Sequence, residues 1–325
     1  MYSLAIIGVG QLGSRHLQAL ARLTCPCVID VVDPSRTSLG IARRRLEEVP
    51  PNAAIRRVSY HTAIDTLPQN LDYVIIATTA DVRLGVLEAL LNGSNVNALV
   101  LEKVLFQSLA EYSVAQKLLA SHQVQTWVNC VNRVYQIYCE IRKFFAPEPL
   151  RYFQVRGGDW GLGSNSIHYL DILGMLTDAV PVSIDTSELD PVLIPSKRNN
   201  FMEFTGMLRG KYEGGVCFEI TSVAKSSARL LLTLRSENRT CVIDESSGGA
   251  VFFNAAIGGI WESKLFKMPL LSEIGTAIAM QILTHGICDL PSFQQSMNYH
   301  YPLIKALSAH AAAFNGTPPD FCPIT

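Results

Sequence analysis

The chain has 325 residues, enough for about two domains with a large buried core, which excludes a small scaffold held by cross-links. Lysine plus arginine number 27 against 28 aspartate plus glutamate, and a net charge of -1 supplies no broad field for a nucleic-acid backbone or an anionic bilayer. With 48 % hydrophobic, 17 % charged and 8 % aromatic residues, the chain has enough apolar surface to offset its ordering entropy, which excludes disorder as its main state.

In chain order, Leu4–Ile7, Val28–Val32, Tyr73–Ala77, Ala98–Leu101 and Gln125–Val128 are short apolar runs that predict strands. Leu12, His16, Leu17, Leu20 and Leu23 repeat at helical spacing, as do Val86, Leu87, Leu90 and Leu91 before a stop at Gly93. This alternation predicts a parallel sheet covered by helices on both faces, an N-terminal domain over residues 1–130. After Tyr138 the rhythm changes. Arg151–Arg156, Met202–Leu208, Gly215–Ser222, Arg229–Leu234 and Thr240–Ile243 follow one another as strands, with helices at Ser166–Leu176, Glu273–Thr284 and Tyr301–Phe314. Asn315-Gly316 and Pro318-Pro319 end the last helix. Residues 131–325 are therefore expected to form an α+β domain, with the last helix free to pack back on the first domain, and the fold class is α/β.

Met1-Tyr2-Ser3 leads straight into Leu4–Val9 with neither a basic segment nor a cleavage site, so no signal peptide is expected. The longest apolar candidate for a membrane helix, Leu270–Leu283, is interrupted by Ser272 and Glu273. The eight cysteines are scattered without a C-x-x-C pair, which predicts reduced thiols, a cytoplasmic location and no metal site.

Gly8-Val9-Gly10-Gln11-Leu12-Gly13 fits G-x-G-x-x-G between a strand and an amphipathic helix, and Asp33 ends the next strand 20 positions after Gly13. Gly8 permits the tight turn, Gly10 lets the backbone approach a diphosphate and Gly13 lets helix and sheet pack closely. Asp33 would accept hydrogen bonds from the adenosine ribose and repel an added phosphate, which favours NAD. Arg36 would clamp that phosphate and keeps NADP possible. Arg43, Arg44 and Arg45 read as a solvated helix face.

That fingerprint, Ile75-Ile76-Ala77-Thr78, Glu102-Lys103, Asn132-Arg133 and His168-Tyr169-Leu170-Asp171 together resemble the Gfo/Idh/MocA oxidoreductase family. The resemblance implies a Rossmann domain followed by a domain built on a large, mostly antiparallel sheet that mediates dimer or tetramer formation. It implies an NAD(P)-dependent enzyme acting on the CH–OH group of a sugar, inositol or nucleotide sugar; a nucleotide sugar or sugar acid of surface polysaccharide metabolism is one expected substrate. Gly8, Gly10, Gln11, Leu12, Gly13, Asp33, Arg36, Ala77, Thr78, Thr79, Glu102 and Lys103 would contact the cofactor. Arg133, Trp160, Ser164, Asn165 and His168 would contact the substrate.

The resemblance places Lys103 by nicotinamide and substrate, where an ammonium lowers the pKa of the hydroxyl that loses its proton. His168, with an imidazole pKa near ~6.5, is the expected base. Asp171, one helical turn later, would orient it or simply solvate the helix. The chain departs from the family at three places. Val104 stands where the family has proline, so a trans peptide is expected there. Ser164 replaces an aspartate four residues before the histidine and cannot act as a base. Arg83 lies near a position usually held by histidine, which points to an anionic substrate.

Trp160 would stack on a sugar face or serve as a core anchor, and Ser196-Lys197-Arg198-Asn199-Asn200 would grip an anion or stay solvated. The departures at Ser164 and Val104 motivate a second reading, a non-catalytic NAD(P)-binding sensor or regulator.

Overall fold

The computed structural model describes residues 1–325 and divides them into two compact units. The first comprises Met1–Phe106, Ala110–Asn129 and Pro269–Gln294. In it β1 (Tyr2–Ile7), α1 (Gly13–Leu20), β2 (Cys27–Val32), α2 (Arg36–Glu47), β3 (Ile55–His61), β4 (Asn70–Ile76), α3 (Ala80–Gly93), β5 (Asn95–Leu101), α4 (Leu109–Ser121) and β6 (Gln125–Val128) build a doubly wound sheet. Its order is β3-β2-β1-β4-β5-β6 and every pairing is parallel. Leu4, Ala5, Ile6, Val74, Ile75, Leu99 and Val100 are buried, as expected for strands covered on both faces.

Register decides where chemistry gathers. Ile7 pairs with Val32 and Ile76, Ile76 pairs with Leu101, and Leu101 pairs with Val128. The next residues, Gly8, Asp33, Ala77, Glu102 and Asn129, therefore line one C-terminal sheet edge, where open α/β sheets bind ligands.

The second unit comprises Gln107–Leu109, Cys130–Met268 and Gln295–Thr325. Its elements are α5 (Gln136–Phe145), β7 (Tyr152–Gly157), α6 (Leu162–Thr177), β8 (Pro181–Leu189), β9 (Ile194–Pro195), β10 (Met202–Glu203), β11 (Gly206–Tyr212), β12 (Cys217–Ser222), β13 (Leu231–Arg235), β14 (Arg239–Asp244), β15 (Gly249–Asn254) and β16 (Trp261–Leu265). The helix α7 (Leu271–His285) belongs to the first unit, where Thr276 donates to the Ala19 carbonyl at 2.8 Å. The last helix, α8 (Phe293–Asn315), runs mainly in the second unit. Gly316, at φ 65°, follows the end of α8, as the sequence predicts.

The eight-stranded sheet has the order β16-β15-β14-β13-β7-β12-β11-β8, antiparallel except for β7 beside β12. Phe153, Val155, Phe218, Ile220, Leu232 and Leu234 alternate with more exposed residues, so one face forms the core of the unit together with Ile167, Leu170 and Leu173 of α6. Tyr212 ties sheet to helix by donating to the Leu170 carbonyl at 2.8 Å.

Several strands escape the sequence reading. β3, β8 and β16 lie at sheet edges, where partial burial, or in β16 exposure of every residue, leaves no continuous apolar run, and Gly248-Gly249 disguises the start of β15 as a turn. The single strand expected over Met202–Leu208 is two, β10 and β11. Gly206 has φ 94°, and a Cβ there would meet the Asp190 amide at 2.6 Å. No helix is long and apolar enough to cross a membrane, and no disulfide links the cysteines.

Candidate functional site

At the end of β1 the chain turns through Gly8, whose φ is 85° and whose added Cβ would lie 2.8 Å from the Thr78 amide. A Cβ on Gly13 would lie 1.9 Å from the Gly8 carbonyl oxygen, so α1 starts pressed against the turn. Gly10 differs, because a Cβ there meets nothing within 4 Å: the backbone is open on that side. Asp33 is 8 % exposed, and its two oxygens accept from the Val9 and Ser35 amides at 2.8 Å each, which ties the end of β2 to the turn. Ser35 caps α2, and Arg36 behind it is exposed.

Arg45 corrects the solvated face expected of the arginine run. Its guanidinium donates to the Gln11 carbonyl at 2.7 Å, to Ser14 Oγ at 2.5 Å and to the Gln11 side chain. Arg43 lies over the Tyr60 ring at 4.3 Å. Leu12 is the half-buried N-cap residue of α1.

Ala77, Thr78 and Thr79 are half-buried where β4 gives way to α3, and Thr78 Oγ1 is buried with no hydrogen-bond partner. The open side of Gly10, the positive end of α1, the Asp33 carboxylate and this orphaned hydroxyl fit a dinucleotide with a diphosphate at the turn.

Glu102, the first residue beyond β5, is 2 % exposed. Its Oε1 lies 2.7 Å from His16 Nε2 and accepts from Asn129 Nδ2 at 2.6 Å, and its Oε2 accepts from the Lys103 amide at 3.2 Å. Burial pushes this carboxyl up, but the hydrogen bonds of His16 and Asn129, with the charges of His16 and Lys103, hold it down at about 2. Glu102, expected at the cofactor, thus anchors the strand end that carries half-buried Lys103. In the sequence His16 stands out only as part of a helix stripe.

Two expectations are corrected here. The Lys103–Val104 peptide is cis rather than trans. Arg83 is 1 % exposed, and its guanidinium donates to the carbonyls of Thr78, Val104 and Leu105, the last at 2.8 Å. It clamps the backbone on either side of the Lys103 strand end and is not presented to an anionic substrate.

In the second unit, α6 begins at Gly161, whose φ is 78°. His168 is half-buried one turn before buried Asp171. Asp171 Oδ1 pairs with Arg133 Nη1 at 3.2 Å. Burial raises the Asp171 carboxyl to about 7, with Arg133 offsetting only part of that rise. Ser164 gives its hydroxyl to Glu203 Oε1 and its amide to Oε2 at 3.2 Å. Asn165 Nδ2 donates to the carbonyls of Trp160 and Gly161 at 3.0 and 3.1 Å.

The Trp160 indole donates to the Thr221 carbonyl at 3.0 Å and stands edge-on to Tyr169, with centroids 5.5 Å apart. Tyr169 and Tyr138 both donate to Glu245, whose carboxyl is raised by burial. Trp160, Ser164, Asn165 and His168 thus share the start of one helix, and Arg133 joins it through Asp171. Glu203 and Glu245 lie far along the chain from their partners and carry no motif, so the sequence offers no local signal for them. No group of three or more His, Cys, Asp or Glu side chains is placed to hold a metal ion.

Residues 2–130 match the family model described as the oxidoreductase family with an NAD-binding Rossmann fold. No curated protein matches the sequence. Among solved structures the chain is similar to the UDP-N-acetylglucosamine 3-dehydrogenase GnnA from Acidithiobacillus ferrooxidans, with 18 % identity, a TM-score of 0.70 and coverage of 96 % of this chain and 98 % of that one. It is similar to a super-repressor mutant of Gal80p from Saccharomyces cerevisiae, with 14 % identity, a TM-score of 0.73 and 96 % of each chain covered. A levoglucosan dehydrogenase in complex with NADH and levoglucosan aligns with 13 % identity, a TM-score of 0.70 and coverage of 97 % and 98 %. At such identities the likeness is one of fold. The matched residues 2–130 hold the glycine turn, Asp33 and the Glu102-Lys103 strand end, so the similarity to this oxidoreductase family lies in the NAD-binding Rossmann fold of the first unit.

Proposed function

We propose that the protein is an NAD(P)-dependent dehydrogenase or reductase acting on the hydroxyl or keto carbon of a sugar-like substrate. The observation that carries this reading is the row along one sheet edge: the open Gly10 turn, Asp33, and Lys103 held by the Glu102 anchor. When bound, the nicotinamide supplies a hydride acceptor or donor. The Lys103 ammonium would hold the substrate oxygen and lower its pKa, and the His168 imidazole would take or return the proton. The Asp171–Arg133 pair would fix the middle of α6, and Arg133 would offer its other donors to substrate. NAD is favoured over NADP because Asp33 stands at the end of β2. The similarity to a UDP-N-acetylglucosamine dehydrogenase and a levoglucosan dehydrogenase supports a carbohydrate. Assembly into a dimer or tetramer through the eight-stranded sheet is part of the proposal.

The test is NAD reduction across a panel of sugars, inositols, sugar acids and nucleotide sugars, with Lys103→Met and His168→Ala beside the wild type. Each variant is expected to lose about 100-fold or more in kcat while still binding NADH. Full turnover in both overturns the assignment. The similarity to Gal80p, whose relative from Kluyveromyces is described as a transcriptional regulator, supports a second reading as a non-catalytic NAD(P)-binding sensor. A sensor would change nicotinamide fluorescence and reduce no NAD with any member of the panel.

A further inference from the structure

The eight-stranded sheet ends in two edge strands, β8 and β16, and the two edges are built differently. An edge presents a row of N–H and C=O groups that another strand can pair with unless something interrupts it. β8 is interrupted: it starts at Pro181, and its pairing with β11 shifts register between Met207 and Arg209 and again between Lys211 and Tyr212. β16 pairs with β15 without a shift from Trp261 to Leu265, and each of its residues is exposed. Trp261 is 55 % and Leu265 86 % exposed, and Ile260, just before the strand, is 75 % exposed.

The ladder decides which backbone groups face outward. The Phe266 amide donates to the Gly248 carbonyl at 2.7 Å, so Phe266 bonds inward. Bonding alternates along an antiparallel strand, so Lys264 and Glu262 also turn their N–H and C=O toward β15, while Trp261, Ser263 and Leu265 turn theirs away.

The order Ile260-Trp261-Glu262-Ser263-Lys264-Leu265-Phe266 runs apolar, apolar, acidic, serine, basic, apolar, apolar, and it complements itself when reversed. Laid antiparallel on a second copy about a two-fold axis at Ser263, the backbone of Trp261 bonds to that of Leu265 of the copy, Ser263 to Ser263 and Leu265 to Trp261, all through outward groups. Glu262 then stands opposite Lys264 of the copy, and Ile260 opposite Phe266. Lys264 already meets Glu140 of its own chain but remains exposed, so it can face both carboxylates. Moving the axis to Glu262 or Lys264 keeps outward groups paired but sets Glu262 against Glu262 or Lys264 against Lys264, which is unfavourable. Charge thus selects one register.

We propose that β16 is the interface of a two-fold dimer of this chain, which joins the sheets of two copies edge to edge into one continuous sheet. The occupant is a second copy because the strand's charges, apolar residues and outward groups complement themselves. The inference goes beyond the dehydrogenase reading and needs none of its chemistry, and it gives the assembly proposed above an edge of the sheet as its contact.

The test is sedimentation of the full chain under reducing conditions over about 1 to 100 μM, with thermal melts checking the fold of each variant. The wild type is expected to be dimeric. Ser263→Pro removes an outward amide and none of the bonds to β15, and is expected to be monomeric yet folded. Glu262→Lys and Lys264→Glu are each expected to weaken the dimer by about tenfold or more, because like charges then face each other on both sides of the axis. An equal mixture of these two is expected to dimerise as the wild type does, because a basic strand then faces an acidic one.

A dimer that Ser263→Pro and Glu262→Lys both leave intact is held by another surface, such as the open face of the sheet, and overturns the inference while the proposed assembly stands. A dimer lost in the single variants and not recovered in the mixture overturns the register at Ser263. A wild type that is monomeric throughout overturns the inference and the proposed assembly together, and the dehydrogenase reading still rests on its own panel of sugars.

Discussion

The imidazole of His16, on the helix that follows the glycine turn, meets the carboxylate of Glu102, at the end of the strand that carries Lys103, at 2.7 Å. Eighty-six residues separate them in sequence, and both are buried. The helix expected to face the diphosphate and the strand end expected to face the substrate are thus joined by one buried hydrogen bond.

This joint makes stability depend on acid. Glu102 has a folded pKa near 2 against 4.5 for an ordinary glutamate, so its contribution is complete above pH 4.5 and is lost as pH falls from there toward 2. At neutral pH the contribution is about 3 kcal/mol. Denaturant unfolding between pH 7 and 2 should show this loss, and Glu102→Gln should flatten it. His16→Ala should destabilise at neutral pH by about 2 kcal/mol.

The glycine turn separates a folding role from a binding role. Gly13→Ala places a Cβ 1.9 Å from the Gly8 carbonyl and should cost about 3 kcal/mol of stability along with NADH affinity. Gly10→Ala meets nothing within 4 Å, so its melting temperature should stay at the wild-type value while NADH binding weakens by about tenfold or more. Calorimetry and NADH fluorescence titration measure the two effects separately.

Arg83 should behave as a scaffold. Arg83→Met leaves the carbonyls of Thr78, Val104 and Leu105 without their charged donor and should cost about 3 kcal/mol in urea unfolding. An anion-binding arginine would instead leave stability unchanged and raise KM for charged substrates alone.

Asp171 should impose the opposite pH dependence to Glu102. Its pKa rises on folding from 3.8 to about 7 because burial disfavours its charge, so its contribution is fully present below pH 3.8 and is lost as pH climbs through 7. Asp171→Asn should remove that slope between pH 4 and 8, read from melting temperatures across the range.

The sequence by itself determined the alternation of apolar strands and helices in the first unit, the glycine turn, Asp33 at the end of β2 and a helix over Ser166–Leu176, which in the structure runs Leu162–Thr177. These are local matters: burial periodicity and backbone freedom are written into neighbouring residues. Tertiary structure alone decided that Arg83 clamps carbonyls, that Arg45 closes over Gln11 and Ser14, and that Asp171 pairs with Arg133. It also set the carboxylate of Glu203 against a serine 39 residues away. A buried charge or hydroxyl must be satisfied by whatever group folding brings within about 3 Å, and that partner comes from another element whose arrival no local pattern records.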